Sequence, residues 1–131
     1  MFLIDSSAWI EYLRNNGSPA VKKRVREILE AEEATTCSVV IVEILRGARD
    51  DKSFNALKET LMSLPQLAID DAAIERAGKW GCMLGRKGKT VPTTDLMIAS
   101  SAYNKSTVVH VDEDFETIAS VCSVKAERIK R

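Results

Sequence analysis

Apolar and polar positions along the chain alternate in short blocks with two different periods. Met1-Phe2-Leu3-Ile4 is an apolar run broken by Asp5, and Ser6-Ser7-Ala8-Trp9 follows as a cap and first turn. This predicts a strand, then a helix with Trp9, Ile10 and Leu13 on one face. After the break Asn15-Asn16-Gly17-Ser18-Pro19, residues Ala20 to Glu33 place Val21, Val25, Ile28 and Leu29 at three- and four-residue spacing. Lys22, Lys23, Arg24 and Arg26 fall mostly elsewhere, as on an amphipathic surface helix. From Ala34 to Arg49 a β-prone start runs into an apolar stretch too long for one strand and closed by Gly47. It divides into a strand near Thr35 to Ser38 and a largely buried helix from about Val39 to Ala48.

Phe54, Leu57, Leu61 and Met62 mark another helix, Leu64 to Asp70 a strand, and Ala72 to Leu84 a helix with Ile74, Ala77, Trp80 and Leu84 aligned. Gly85 to Pro92 is a basic loop. Thr93 or Thr94 then caps a helix reaching Tyr103, Thr107 to Val111 is a strand, Asp114 to Val121 a helix, and a last strand lies near Val124 to Ala126. Strands and helices alternate without internal repeat or low-complexity tract. The expectation is an α/β fold, one domain over residues 1–131, with a mainly parallel central sheet covered by helices on both faces.

At 131 residues the chain is long enough to bury roughly two-thirds of its unfolded surface without staples. Nineteen Lys and Arg balance nineteen Asp and Glu, so net charge predicts no partner and any nucleic-acid contact must be local. Cys37, Cys82 and Cys122 are odd in number, far apart and without a C-x-x-C spacing. They argue against a disulfide framework or a zinc site and read as core thiols in a reducing compartment. The opening residues lack a basic segment and Asp5 interrupts their apolar run, so neither a signal peptide nor a membrane span is expected. A cytoplasmic protein with no membrane partner is the resulting reading.

In parallel α/β sheets ligands gather at the carboxyl ends of strands, near the reversal of strand order. Asp5 and Asp112 fall at such ends, Asp95 opens a helix after a loop, and Glu43 lies within the apolar run Val39 to Leu45. Taken singly, Asp5 also serves as a helix cap, Asp95 as a first-turn acid, Asp112 to Glu116 as an acidic helix start, and Glu43 as a salt-bridge partner of Arg46 or Arg49. Together they are four acids from distant positions that this placement allows to converge. Two carboxylates about 5 Å apart repel by roughly 3 kcal/mol at an effective dielectric of about 20, and a cation relieves that repulsion. Oxygen donors with one histidine and no paired cysteines select hard ions, Mg²⁺ or Mn²⁺.

Other motifs fail. A phosphate-binding loop ending at Gly88-Lys89-Thr90 needs glycine where Met83 stands, and a calcium loop starting at Asp112 needs glycine at Thr117 and glutamate at Ser123. His110 is the only histidine and no G-x-S-x-G occurs, which leaves a serine-hydrolase triad without support. A phosphotransfer receiver needs paired acids after the first strand, where Asp5 stands alone.

Four motifs in order then carry a resemblance. These are Phe2-Leu3-Ile4-Asp5-Ser6-Ser7, Glu43-Ile44-Leu45-Arg46-Gly47, Leu84 to Gly88 followed by Pro92-Thr93-Thr94-Asp95-Leu96-Met97-Ile98-Ala99, and His110-Val111-Asp112-Glu113-Asp114-Phe115. Nearly end to end, the chain resembles the PIN-domain ribonucleases, in particular the VapC-type toxins of toxin–antitoxin pairs. The resemblance implies a three-layer α/β/α PIN-like fold and a Mg²⁺- or Mn²⁺-dependent endoribonuclease leaving 5′-phosphate and 3′-hydroxyl ends. It implies Asp5, Glu43, Asp95, Asp112 and Asp114 as catalytic and metal-binding positions, with either Asp112 or Asp114 innermost. Ser7 and Thr94 are candidates for orienting water or ligands, and Arg46, Arg86, Lys87 and Lys89, beside these motifs, for RNA phosphates. The implied partners are RNA and a cognate VapB-like antitoxin, in a homodimer or a heteromeric toxin–antitoxin complex. His110 departs from the family pattern, which commonly has threonine there. A PIN-fold scaffold that binds RNA or protein without catalysis is the second expectation.

Overall fold

The computed structural model describes all residues from Met1 to Arg131. Its centre is a pair of strands, β1 (Phe2–Ile4) and β3 (Thr107–His110), in which Leu3, Ile4, Val108 and Val109 are fully buried. Continuous apolar runs suit strands covered on both faces. β1 pairs in parallel with β2 (Ala34–Thr35) on one side and with β3 on the other, and β3 pairs in parallel with β4 (Ala126–Arg128), giving the order β2-β1-β3-β4. The chain reverses its direction of travel across the sheet between β1 and β3. A crevice opens beyond the carboxyl ends of these two strands, because their connections leave in opposite directions.

Seven helices flank the sheet in a three-layer α/β/α arrangement. α1 (Ser6–Leu13) starts directly after β1, with Asp5 accepting a hydrogen bond from the Ser7 backbone N–H. α2 (Pro19–Glu30) is capped by Ser18, with Pro19 in its first turn. α3 (Ser38–Leu45), α4 (Asp51–Met62), α5 (Asp71–Arg86), α6 (Thr93–Ala102) and α7 (Asp114–Val121) complete the order. A single cluster of 26 buried apolar residues links both helical layers to the sheet. In the α1–α2 turn, a Cβ on Gly17 would lie 1.7 Å from the Glu11 carbonyl oxygen, so the position accepts no side chain.

Several expected elements differ. Leu64 to Asp70 is not a strand: only Gln66 makes a parallel bridge, to Thr36, through the bonds Thr36 N–H to Pro65 O and Leu67 N–H to Thr36 O. β2 is two residues long and turns into α3 at Cys37, so it offers too little edge for a further strand. β2 itself begins at Ala34 rather than Thr35, and β4 lies two residues later than expected. α6 is capped by neither threonine, because Pro92 occupies the cap position without a side-chain bond and Thr93 is already helical. On α5 it is Ala73, not Ile74, that turns inward. α3 is less buried than its sequence suggests, with Val42 62 % exposed and Glu43 half-buried. Of the cysteines, Cys37 and Cys122 are buried and Cys82 is exposed.

Candidate metal centre

The crevice beyond β1 and β3 is lined with acids. Asp5 ends β1, only 2 % exposed, and its backbone N–H donates to Val109 O at 2.9 Å, which fixes it beside the end of β3. Its two carboxylate oxygens have separate surroundings. Oδ2 accepts from the Ser7 hydroxyl at 2.6 Å and the Ser7 N–H at 3.1 Å, while Oδ1 is buried with no partner. The helix-cap reading of Asp5 is therefore correct for one oxygen and leaves the other free. Burial pushes this carboxyl up to about 6, with Asp112 and Glu43 adding repulsion against the lowering effect of the Ser7 bonds.

Asp95 sits in the first turn of α6, 9 % exposed, because Leu96, Ile98 and Ala99 pull that helix into the core. Asp112 follows β3, and Asp114 is the first residue of α7. One carboxylate oxygen from each of Asp95, Asp112 and Asp114 comes within 4.8 Å of the others. Burial, followed by repulsion from Asp5, Asp112 and Asp114 and a proton shared toward Asp114, pushes the Asp95 carboxyl up to about 8. Without a cation the cluster therefore stores a proton near neutrality.

Glu43 stands further out on α3. The structural alternative for Glu43, a salt bridge to Arg46 or Arg49, does not form. The Ser6 hydroxyl donates to Glu43 Oε1 at 3.2 Å instead, and the charge of Arg46 acts on Glu43 only through space. Partial burial raises this carboxyl as well. Ser6 escaped sequence reasoning because its partner is 37 residues away, although a second hydroxyl beside Asp5 was a visible signal.

Ser7 also accepts from the Val111 N–H at 3.3 Å, so one hydroxyl ties the ends of β1 and β3 together. The Thr94 side chain is exposed at the mouth of α6 and makes no hydrogen bond within the chain. Arg46 at the end of α3, Arg86 at the end of α5, and Lys87 and Lys89 in the following loop are exposed. Lys89 Nζ lies 3.4 Å from Ser120 Oγ on α7, so this basic loop rests against the helix that carries Asp114.

The donor set fits a hard divalent cation: three carboxylates converge, and the neighbouring Asp5 has one buried oxygen without a partner. Retaining this much like charge without compensation would oppose folding.

Comparison with known proteins agrees with this geometry. The chain is 39 % identical over 131 residues to Ribonuclease VapC11 of Mycobacterium tuberculosis, covering 96 % of this chain and 97 % of that protein. It is 28 % identical to Ribonuclease VapC18 of the same organism, over 98 % of this chain and 95 % of the other. Among solved structures, FitAB bound to a DNA fragment superposes with a TM-score of 0.80 at 16 % identity, over 98 % and 94 % of the two chains. VapBC2 from Rickettsia felis does so at 0.76 and 15 %, over 97 % of each. A sequence model of the PIN domain matches residues 2–121, and the chain belongs to the PIN-domain family.

Proposed function

We propose that the chain is a Mg²⁺- or Mn²⁺-dependent endoribonuclease and the toxin half of a toxin–antitoxin pair. The observation that carries this is the convergence of Asp95, Asp112 and Asp114 within 4.8 Å beside the unpartnered Asp5 Oδ1, in a chain similar over its length to proteins named ribonucleases. Asp5, Asp95, Asp112 and Asp114 hold the ion, with Glu43 at the outer edge. When bound, the ion supplies Lewis-acid polarisation of the phosphodiester and neutralises charge on the leaving oxygen.

The chain's own groups do the rest. Ser7 fixes the Asp5 carboxylate through Oδ2 and leaves the buried Oδ1 without a partner, and Thr94 offers a free hydroxyl at the start of α6 for a water or an RNA oxygen. Burial and the neighbouring acids raise the Asp95 carboxyl to about 8, and an ion held there would take the place of its proton. Arg46, Arg86, Lys87 and Lys89 neutralise RNA phosphates locally, as a chain of zero net charge requires.

The antitoxin reading rests on a groove of about 730 Å³ between α1, α3 and α4, lined by Ile10, Leu13, Arg14, Glu43, Ile44 and Arg49 among others. Ile10 and Leu13 are each 46 % exposed there. An antitoxin segment with apolar and acidic side chains fits this surface and would end beside Glu43. The solved relatives include a member of the VapBC family of toxin–antitoxin systems from Mycobacterium tuberculosis. No helix is long and apolar enough to cross a membrane, and all three cysteines are free, as suits a cytoplasmic nuclease.

The test is cleavage of RNA by purified protein with Mn²⁺ or Mg²⁺. Activity is expected to stop in EDTA and to vanish in Asp5→Asn. A fully active Asp5→Asn protein refutes the carboxylate mechanism, and absence of any Mn²⁺ binding would reduce the fold to a scaffold.

A further inference from the structure

His110 closes β3 with its side chain fully buried. Its carbonyl oxygen accepts from the Ile129 N–H at 2.8 Å, and its ring lies 5.2 Å from that of Phe115. Its Nε2 is 3.1 Å from Oε1 of Glu116, whose side chain is 47 % exposed. A carboxylate only accepts, so Nε2 donates to Glu116, while Nδ1 is buried without a partner. A buried polar atom without a partner costs stability, and an aliphatic side chain would fill the strand end without that cost. The ring's distinctive contribution is its reach into the first turn of α7.

Both Asp112 and Asp114 lie on the segment this contact closes. One carboxylate oxygen of each lies within 4.8 Å of one on Asp95, and their charge acts against that of Asp95, so the carboxylates close up only against repulsion. Two short restraints act locally, Val111 N–H to Ser7 Oγ and Asp114 N–H to Asp112 Oδ1. Neither fastens α7 to the strand. Glu113, in the cap position of α7, makes no side-chain bond either. His110 to Glu116 is the one side-chain hydrogen bond that ties the end of β3 to the first turn of α7.

We infer that His110 and Glu116 are positioning residues that set the cluster's affinity for its divalent ion by holding the segment bearing Asp112 and Asp114 against Asp95. This rests on the metal-centre reading above and adds to it a determinant outside the carboxylates. Because removal of the buried ring endangers folding, the test falls on the half-exposed partner. Mn²⁺ titration calorimetry, without RNA, compares wild type with Glu116→Ala and Glu116→Gln at a temperature where melting in EDTA shows all three folded.

Glu116→Ala is expected to bind Mn²⁺ about tenfold more weakly, about 1.4 kcal/mol. Glu116→Gln, whose amide oxygen still accepts from Nε2, is expected to stay within about twofold. A merely structural pair would lower the melting temperature and leave Mn²⁺ affinity unchanged, which overturns the inference. Equal weakening in both variants also overturns it, since the Glu116 charge rather than the tether would then be acting. Wild type that binds no Mn²⁺ sinks the metal centre itself, whereas wild type that binds beside an unaffected Glu116→Ala sinks only the tether.

Discussion

Asp95→Asn tests whether the cluster is held together against its own charge. In the folded chain the Asp95 carboxyl sits at about 8, against 3.8 for the free side chain. A raised folded value means that the unfolded chain releases its proton first. The resulting penalty is absent below the unfolded value, grows as pH rises and levels off above the folded one. Integrated over proton binding and discounted for solvent screening and for sharing with the neighbouring acids, it is on the order of 1 kcal/mol at about pH 5 and a few kcal/mol at about pH 8. Against a total stability on the order of 5–15 kcal/mol this is large. Asparagine keeps the shape and the hydrogen-bonding capacity of the protonated acid toward Asp114 without the charge. Asp95→Asn is therefore expected to be more stable than wild type in EDTA, modestly at pH 5 and by a few kcal/mol at pH 8. Adding Mn²⁺ should narrow or reverse the difference, since wild type alone keeps the full cage. Urea unfolding followed by far-UV circular dichroism at both pH values is the assay. A variant no more stable than wild type at pH 8, or stabilised equally at the two, would refute the electrostatic account.

Ser6→Ala removes the hydroxyl that holds Glu43, and single-turnover RNA cleavage is expected to fall roughly tenfold, the worth of one hydrogen bond to a charged group, while melting in EDTA hardly moves. Gly17→Ala drives a methyl into the Glu11 carbonyl and is expected to lose at least about 1–3 kcal/mol in urea unfolding; unchanged stability would contradict the close approach. Combined replacement of Arg86, Lys87 and Lys89 by alanine should flatten the plot of log RNA affinity against log salt by about 0.7 for each phosphate no longer neutralised, measured by fluorescence anisotropy in EDTA. Cleavage with Mn²⁺ should rise from about pH 5 toward pH 8, because protons compete with the cation for Asp5 and Asp95; a flat profile would show that neither carboxyl is a ligand.

The parallel architecture was legible because its signal is local. Apolar runs such as Phe2 to Ile4 and Thr107 to Val111 need only one strand's worth of sequence to declare themselves. The acids after them were legible for the same reason, each standing where an apolar block stops. What sequence could not supply was exposure. The run Val39 to Leu45 looks core-facing throughout, yet α3 lies at the edge of its layer and turns Val42 to solvent. Leu64 to Asp70 has strand composition, but pairing depends on a neighbouring edge, and two-residue β2 provides almost none. Contacts that span the chain, such as Ser6 with Glu43, leave no periodic trace. His110 stood out as a departure from a pattern, and its Glu116 partner, six residues away across a turn, became visible only in three dimensions.

The strand order β2-β1-β3-β4 has a consequence for synthesis. Strands arriving early, β1 and β2, lie to one side, and the middle of the sheet stays open until Thr107 to His110 emerges. Two of the crevice acids, Asp112 and Asp114, come later still. A nascent chain of about a hundred residues thus has an unpaired edge on β1 and lacks Asp112 and Asp114, so the long-range β1–β3 pairing must wait until residue 110 has been made. The crevice therefore acquires its β3 side only after the β1 side has been made, and the two halves of the acidic cluster come from opposite ends of residues 1–131.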